Sequence, residues 1–190
     1  MEKNKELMKR LFTQSEIDLI FNTKADIVVD LVSRLHGYFI LRPQKYVVAG
    51  GAFTSLLHEE PCNDIDIFVL DTTNEEIEMF EKSINLFQQR GGKDEYLNGT
   101  QTTHIKAVYD SLNTNFQYIL TNYKTRQEVI DNFDFVHSKI SYYDTQLFIT
   151  RQMFDANMNR KLIPNKPKEQ INEKRWIKFK DRGFSEAVSI

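Results

Sequence analysis

Two carboxylates and a glycine pair are the residues in this chain whose types and spacing could do chemistry. Asp64 and Asp66 open the run Asp64-Ile65-Asp66-Ile67-Phe68-Val69-Leu70, and Gly50-Gly51 follows Tyr46-Val47-Val48-Ala49. Side chains two apart on a strand share a face, so the two aspartates present their carboxylates side by side. Such a pair repels itself, and a hard divalent cation with oxygen ligands, Mg2+ or Mn2+, is the usual relief. Glycines, lacking Cβ, let the backbone turn sharply and approach a ligand closely. A helix starting at that turn offers unpaired N–H groups and a positive dipole end, which suits a triphosphate.

The elements that must position these groups are short. Tyr46 to Val48 reads as a strand from its β-branched and aromatic content. Ala52, Phe53, Leu56 and Leu57 recur at helical spacing to about His58, and Pro61 stops the helix. Alternation makes Asp64 to Leu70 the next strand.

The succession of strand, Gly-Gly, short helix and Asp-x-Asp strand over residues 45–70 resembles the nucleotidyltransferase superfamily. That superfamily includes DNA polymerase β, the CCA-adding and poly(A) polymerases, and small phage and viral members. The resemblance implies an α/β (α+β) fold, a small mixed sheet flanked by helices. It implies that Gly50, Gly51 and Thr54 or Ser55 hold nucleotide phosphates, and that Asp64 and Asp66 bind Mg2+ or Mn2+. The implied reaction moves a nucleoside monophosphate from an NTP to a hydroxyl acceptor, RNA, small molecule or protein, and releases pyrophosphate.

In the superfamily a later strand commonly delivers a third carboxylate, where Phe116 to Thr121 offers Gln117. Phe133-Asp134-Phe135 resembles the Arg-Asp-Phe-Thr element of the CCA-adding enzymes, with Phe133 in place of the arginine. Asp134 is thus the candidate third catalytic acid, completing the metal shell or acting as base; the competing reading is that it caps the adjoining turn. The two departures open a second functional reading, a catalytically degenerate binding or assembly module such as a viral accessory protein.

The 190 residues and 22.4 kDa fit one domain, 1–162, with a basic helical appendix, 163–190. A net charge of −2 gives no global drive toward nucleic acid or membrane. Locally, residues 160–182 hold nine lysines and arginines against three acids. They are a candidate nucleic-acid contact with Trp176 as a stacking residue, or a solvated face on a helix that Trp176, Ile177 and Phe179 pack onto the body. Cys62 alone forms no internal disulfide. The absence of a leader or a membrane-spanning run leads us to expect a cytoplasmic protein, in the host cytoplasm if viral.

Elsewhere the periodicity predicts helices over 13–35, 71–90, 125–132, 150–160 and 168–184, with Gly91-Gly92 ending the second. Asn98-Gly99 signals a turn, and strands are expected at 104–109 and 116–121. A further strand is expected after Phe135, with His137 and Lys139 on one face, there either to meet phosphate or substrate or, the favoured reading, as a structural histidine and a solvated lysine. Tyr142 to Gln146 then turns it back into Leu147 to Ile149.

Overall fold

The computed structural model describes residues 15, 43–62, 64–86, 91–97, 101–109, 114–144 and 146–186. The expected helix over 13–35 (apart from Ser15) and the turn at Asn98-Gly99 lie outside them. The chain is organised around a seven-stranded mixed sheet, larger than the small sheet expected. Strand β1 (Tyr46–Ala49) leads through Gly50 into helix α1 (Gly51–Leu57), then strand β2 (Asp64–Val69) and helix α2 (Asn74–Leu86). Strands β3 (Gly91–Leu97), β4 (Gln101–Tyr109) and β5 (Thr114–Leu120) follow, then helix α3 (Arg126–Asp131), a 3-10 turn (Val136–Lys139) and strands β6 (Ser141–Tyr143) and β7 (Gln146–Phe148). Helix α4 (Arg151–Met158), strand β8 (Lys161–Leu162), helix α5 (Glu173–Asp181) and strand β9 (Ser185–Glu186) end the described chain.

The sheet order is β3-β4-β5-β2-β1-β6-β7. Among the described strands of this sheet only β2 and β5 run parallel, the other pairings being antiparallel, while β8 and β9 pair in parallel apart from it. Burial follows sequence. All four β1 residues are buried, as a central strand covered on both faces requires, while in β2 Ile65, Ile67 and Val69 are buried and alternate with less buried Asp64, Asp66 and Phe68. The alternation turns the apolar side into a core shared with Phe53 of α1, Phe154 of α4 and Tyr118 of β5, and turns both aspartates to the opposite face.

Three expectations are corrected. Gly91 and Gly92 begin β3, paired with Ala107 and Lys106, and do not end a helix. The strand expected after Phe135 is a 3-10 turn up to Lys139, because Val136, His137 and Ser138 are buried in succession, which a strand of alternating faces cannot achieve in a half-buried position. The basic C-terminal helix is shorter than 168–184. It begins at Glu173, where Asn172 caps it by accepting from the Lys174 N–H. Thr125 and Thr150 cap α3 and α4 in the same way.

Helix α5 is fastened by Trp176 and Phe179, which join Phe135, Leu162, Ile171 and Phe184 in a second apolar cluster. Trp176 is buried edge-on against Phe135, with ring centroids 4.9 Å apart, so it packs the helix and is not available for stacking on a base. Among the described residues no helix is long and apolar enough to cross a membrane.

Candidate active site

The β1–β2 register sets Ala49 opposite Asp66, so the chain leaving β1 turns directly beneath that carboxylate. It turns at Gly50, whose φ of 95° and ψ of −146° lie in a region open essentially to glycine alone. The missing side chain matters twice, because a Cβ on Gly50 would stand 3.1 Å from Asp66 Oδ2 and 3.9 Å from Phe133 Cζ. At Gly51 a Cβ would meet nothing within 4 Å among the described residues.

The parallel β2–β5 register puts Gln117 opposite Asp66, and the Gln117 amide Nε2 donates to Asp64 Oδ2 over 3.3 Å. Burial first and the neighbouring Asp64 second push the Asp66 carboxyl up to about 6, while the positive charges of Lys178 and Arg175 pull it down. Asp66 keeps partial exposure, yet the protein atoms crowding its carboxylate remove most of its solvation. Among the described residues no lysine or arginine forms an ion pair with either aspartate. An uncompensated carboxylate pair of this kind fits a hydrated divalent cation, which Mg2+ sites commonly bind through one or two carboxylates plus substrate phosphates. Burial and Asp64 also push the Cys62 thiol up to about 11, so it is no nucleophile.

The remaining sequence candidates are placed as follows. Thr54 is fully buried in α1 with no partner for its hydroxyl among the described residues. The Ser55 hydroxyl is bonded by Arg182 Nη2 at 3.2 Å. Asp134 is buried and held by Arg175 at 3.0 Å and Lys166 at 3.6 Å. Among the described residues no third His, Cys, Asp or Glu forms a metal-holding group with Asp64 and Asp66. Phe133 meets Phe68 edge-on at 5.7 Å and gives the glycine turn an apolar wall. Sequence reasoning missed the approach of Arg175 and Lys178 to Asp66; its only trace was their spacing of three on one helix. A concavity of about 480 Å³ lined by Arg151, Asp155 and Lys161 lies elsewhere.

A sequence-family profile described as "Gad2: Gabija anti-defense 2 family protein" matches residues 19–160. No curated protein matches the sequence. Among solved structures, the chain is similar to a CCA-adding enzyme in an apo form (TM-score 0.60, 16% identity, 91% of this chain and 43% of that one). It is also similar to the Thermotoga maritima CCA-adding enzyme complexed with tRNA (TM-score 0.58, 14% identity, 85% and 40%). A tRNA-processing enzyme with CTP gives a TM-score of 0.54 at 14% identity, over 83% and 43%. The core is therefore nucleotidyltransferase-like in fold, and the chain spans about two-fifths of the length of these neighbours.

Proposed function

The chain belongs to the Gabija anti-defense 2 (Gad2) family, and from that premise we propose that it acts as a divalent-metal-assisted nucleotidyltransferase, moving a nucleoside monophosphate from an NTP to a hydroxyl acceptor and releasing pyrophosphate. The observation carrying this reading is the carboxylate pair Asp64 and Asp66, unpaired by any described lysine or arginine and set against the Gly50 turn. Asp64 and Asp66 would hold Mg2+ or Mn2+. Bound there, the ion would polarise phosphoryl oxygens and lower the pKa of the acceptor hydroxyl. The chain's own part is to orient. Gln117 fixes the Asp64 carboxylate, and the Gly50 turn brings backbone close to where the phosphates would lie. Of the similar solved enzymes, one is bound to CTP and another to tRNA, which supports an NTP and an RNA as partners.

A second reading has its own observation. Gln117 brings a neutral amide to the strand position opposite Asp66, and an amide neither balances a second metal nor takes a proton. Two carboxylates without a third among the described residues favour a fold kept for binding, through which the chain would counter a Gabija defence, as its family's name states, without turnover.

The experiment is incubation with four labelled NTPs and Mg2+ or Mn2+, scored for pyrophosphate and for label on RNA or protein. The transferase reading expects turnover that Asp64→Asn or Asp66→Asn abolishes at equal or higher melting temperature. Binding of Mg-NTP with no turnover of any acceptor supports the second reading, and a chain that neither binds nor turns over any NTP refutes the first.

A further inference from the structure

Helix α5 carries Arg175 and Lys178, and Arg182 caps its C-terminus; at spacings of three and four the three project within about 60° of helical arc, beside the face buried by Trp176 and Phe179. Both ends of this cationic side are tied to the body next to the glycine turn. Arg175 Nη1 donates to Asp134 Oδ2 at 3.0 Å, and the preceding residue, Phe133, borders Gly50. Arg182 Nη2 donates to Ser55 Oγ at 3.2 Å on α1 and to Glu60 at 2.8 Å. Lys178 stands between these anchors, exposed and with no ion-pair partner among the described residues.

The charge balance says what this lysine lacks. Asp64 and Asp66 already crowd negative charge, a triphosphate brings several charges more, and one divalent cation does not neutralise the sum. The bonds of Arg175 to Asp134 and of Arg182 to Ser55 hold this side of α5 beside the Gly50 turn, where a Cβ would stand 3.1 Å from Asp66 Oδ2. Arg175 is committed to Asp134, which leaves Lys178 as the cation with capacity for an incoming anion, and an ammonium on a flexible stem is a common phosphate binder.

We propose that the Arg175–Lys178 side of α5 forms the second half of a polyphosphate site facing Asp64, Asp66 and the Gly50 turn, with Lys178 as the side chain that binds phosphate. The ligand class is a nucleoside triphosphate, recognised through its phosphates more than its base. This inference rests on the nucleotidyltransferase reading and adds to it the residues that take the anion.

The test is calorimetric titration of the full chain with ATP and with inorganic tripolyphosphate, in EDTA and again with Mg2+. Wild-type protein is expected to bind both in EDTA, more weakly as salt rises. Lys178→Met keeps the apolar stem at an exposed position, so the fold survives, and weakens both ligands about tenfold. Lys180→Met removes the same charge from the other side of α5, where Lys180 pairs with Glu186 at 2.8 Å, and changes either affinity by about twofold at most. Equal binding of tripolyphosphate by wild type and Lys178→Met, with ATP still bound, overturns the role of Lys178 and leaves the nucleotide reading intact. An equal loss in Lys180→Met also overturns it, since the effect would then be a general field. A wild-type chain that binds neither ligand, with or without Mg2+, overturns both.

Discussion

The Gln117 side-chain amide donates to Asp64 Oδ2 over 3.3 Å, from the strand position opposite Asp66. A neutral donor thus steadies a carboxylate pair that a third acid would strain. Gln117→Glu should therefore lower the metal-free stability by about 1–2 kcal/mol through like-charge repulsion. It should also gain more melting temperature from Mn2+ than wild type does, because linkage rewards tighter binding to the folded state. Thermal unfolding in EDTA and in Mn2+ measures both, and an equal metal shift in the two proteins would show that Asp64 and Asp66 are not the metal site.

Gly50 is required for two separable reasons, its positive φ and the 3.1 Å approach of a would-be Cβ to Asp66 Oδ2. Gly50→Ala should cost roughly 2–3 kcal/mol. In an Asp66→Ala background the contact is gone and the cost should fall to the backbone part, about 1 kcal/mol. Gly51→Ala, with open space and no positive φ, should be neutral or slightly stabilising. Chemical denaturation of the four variants closes the cycle.

The stretch from β1 to β2 was legible because its signals are local: a β-branched run, a glycine pair, a proline stop and an Asp-x-Asp alternation. The helix starts at Thr125 and Thr150 and the turn into β7 at Asp144, whose φ is 46°, are local in the same way. Partners distant in sequence were not legible. Nothing near Gly91 says that it will pair with Ala107, and nothing near Lys178 says that its charge will reach Asp66. Trp176 was ambiguous for the same reason, since a basic helix with an aromatic residue reads alike whether the ring faces a base or faces Phe135.

His137 shows a cost of that packing. It is fully buried, lies against Phe135, Phe179 and Phe184, and neither ring nitrogen has a partner among the described residues. Burial, then the charges of Arg182 and His58, push its pKa down to about 3 from the usual 6.5. Between those values the unfolded chain binds the extra proton, so stability is full above about pH 6.5 and falls as the pH drops toward 3, by at most about 1.4 kcal/mol per pH unit. His137→Leu cannot take that proton. It should match or exceed wild type at pH 7 and lose less stability by pH 5, leaving the smaller slope of His58, also held low first by burial and then by Arg160. Urea midpoints at the two pH values decide, and equal losses in both proteins would remove His137 from the account.

Asp134 separates a structural acid from a catalytic one. Its carboxylate joins Arg175 and Lys166, its carbonyl accepts from the Asn165 N–H at 2.8 Å, and Asn165 Nδ2 donates to the Phe133 carbonyl at 2.9 Å. These bonds stitch the loop beside Gly50 to the segment that carries α5. Arg175 is largely exposed, so solvent screens the pair, and Asp134→Asn should cost only about 1–2 kcal/mol. The same change releases Arg175 from its partner, so metal-free affinity for tripolyphosphate should hold or rise while the melting temperature falls. If Asp134→Asn instead keeps the melting temperature and loses Mn2+ binding, Asp134 belongs with Asp64 and Asp66 as a metal-binding acid, and its bonds to Arg175 and Lys166 are incidental.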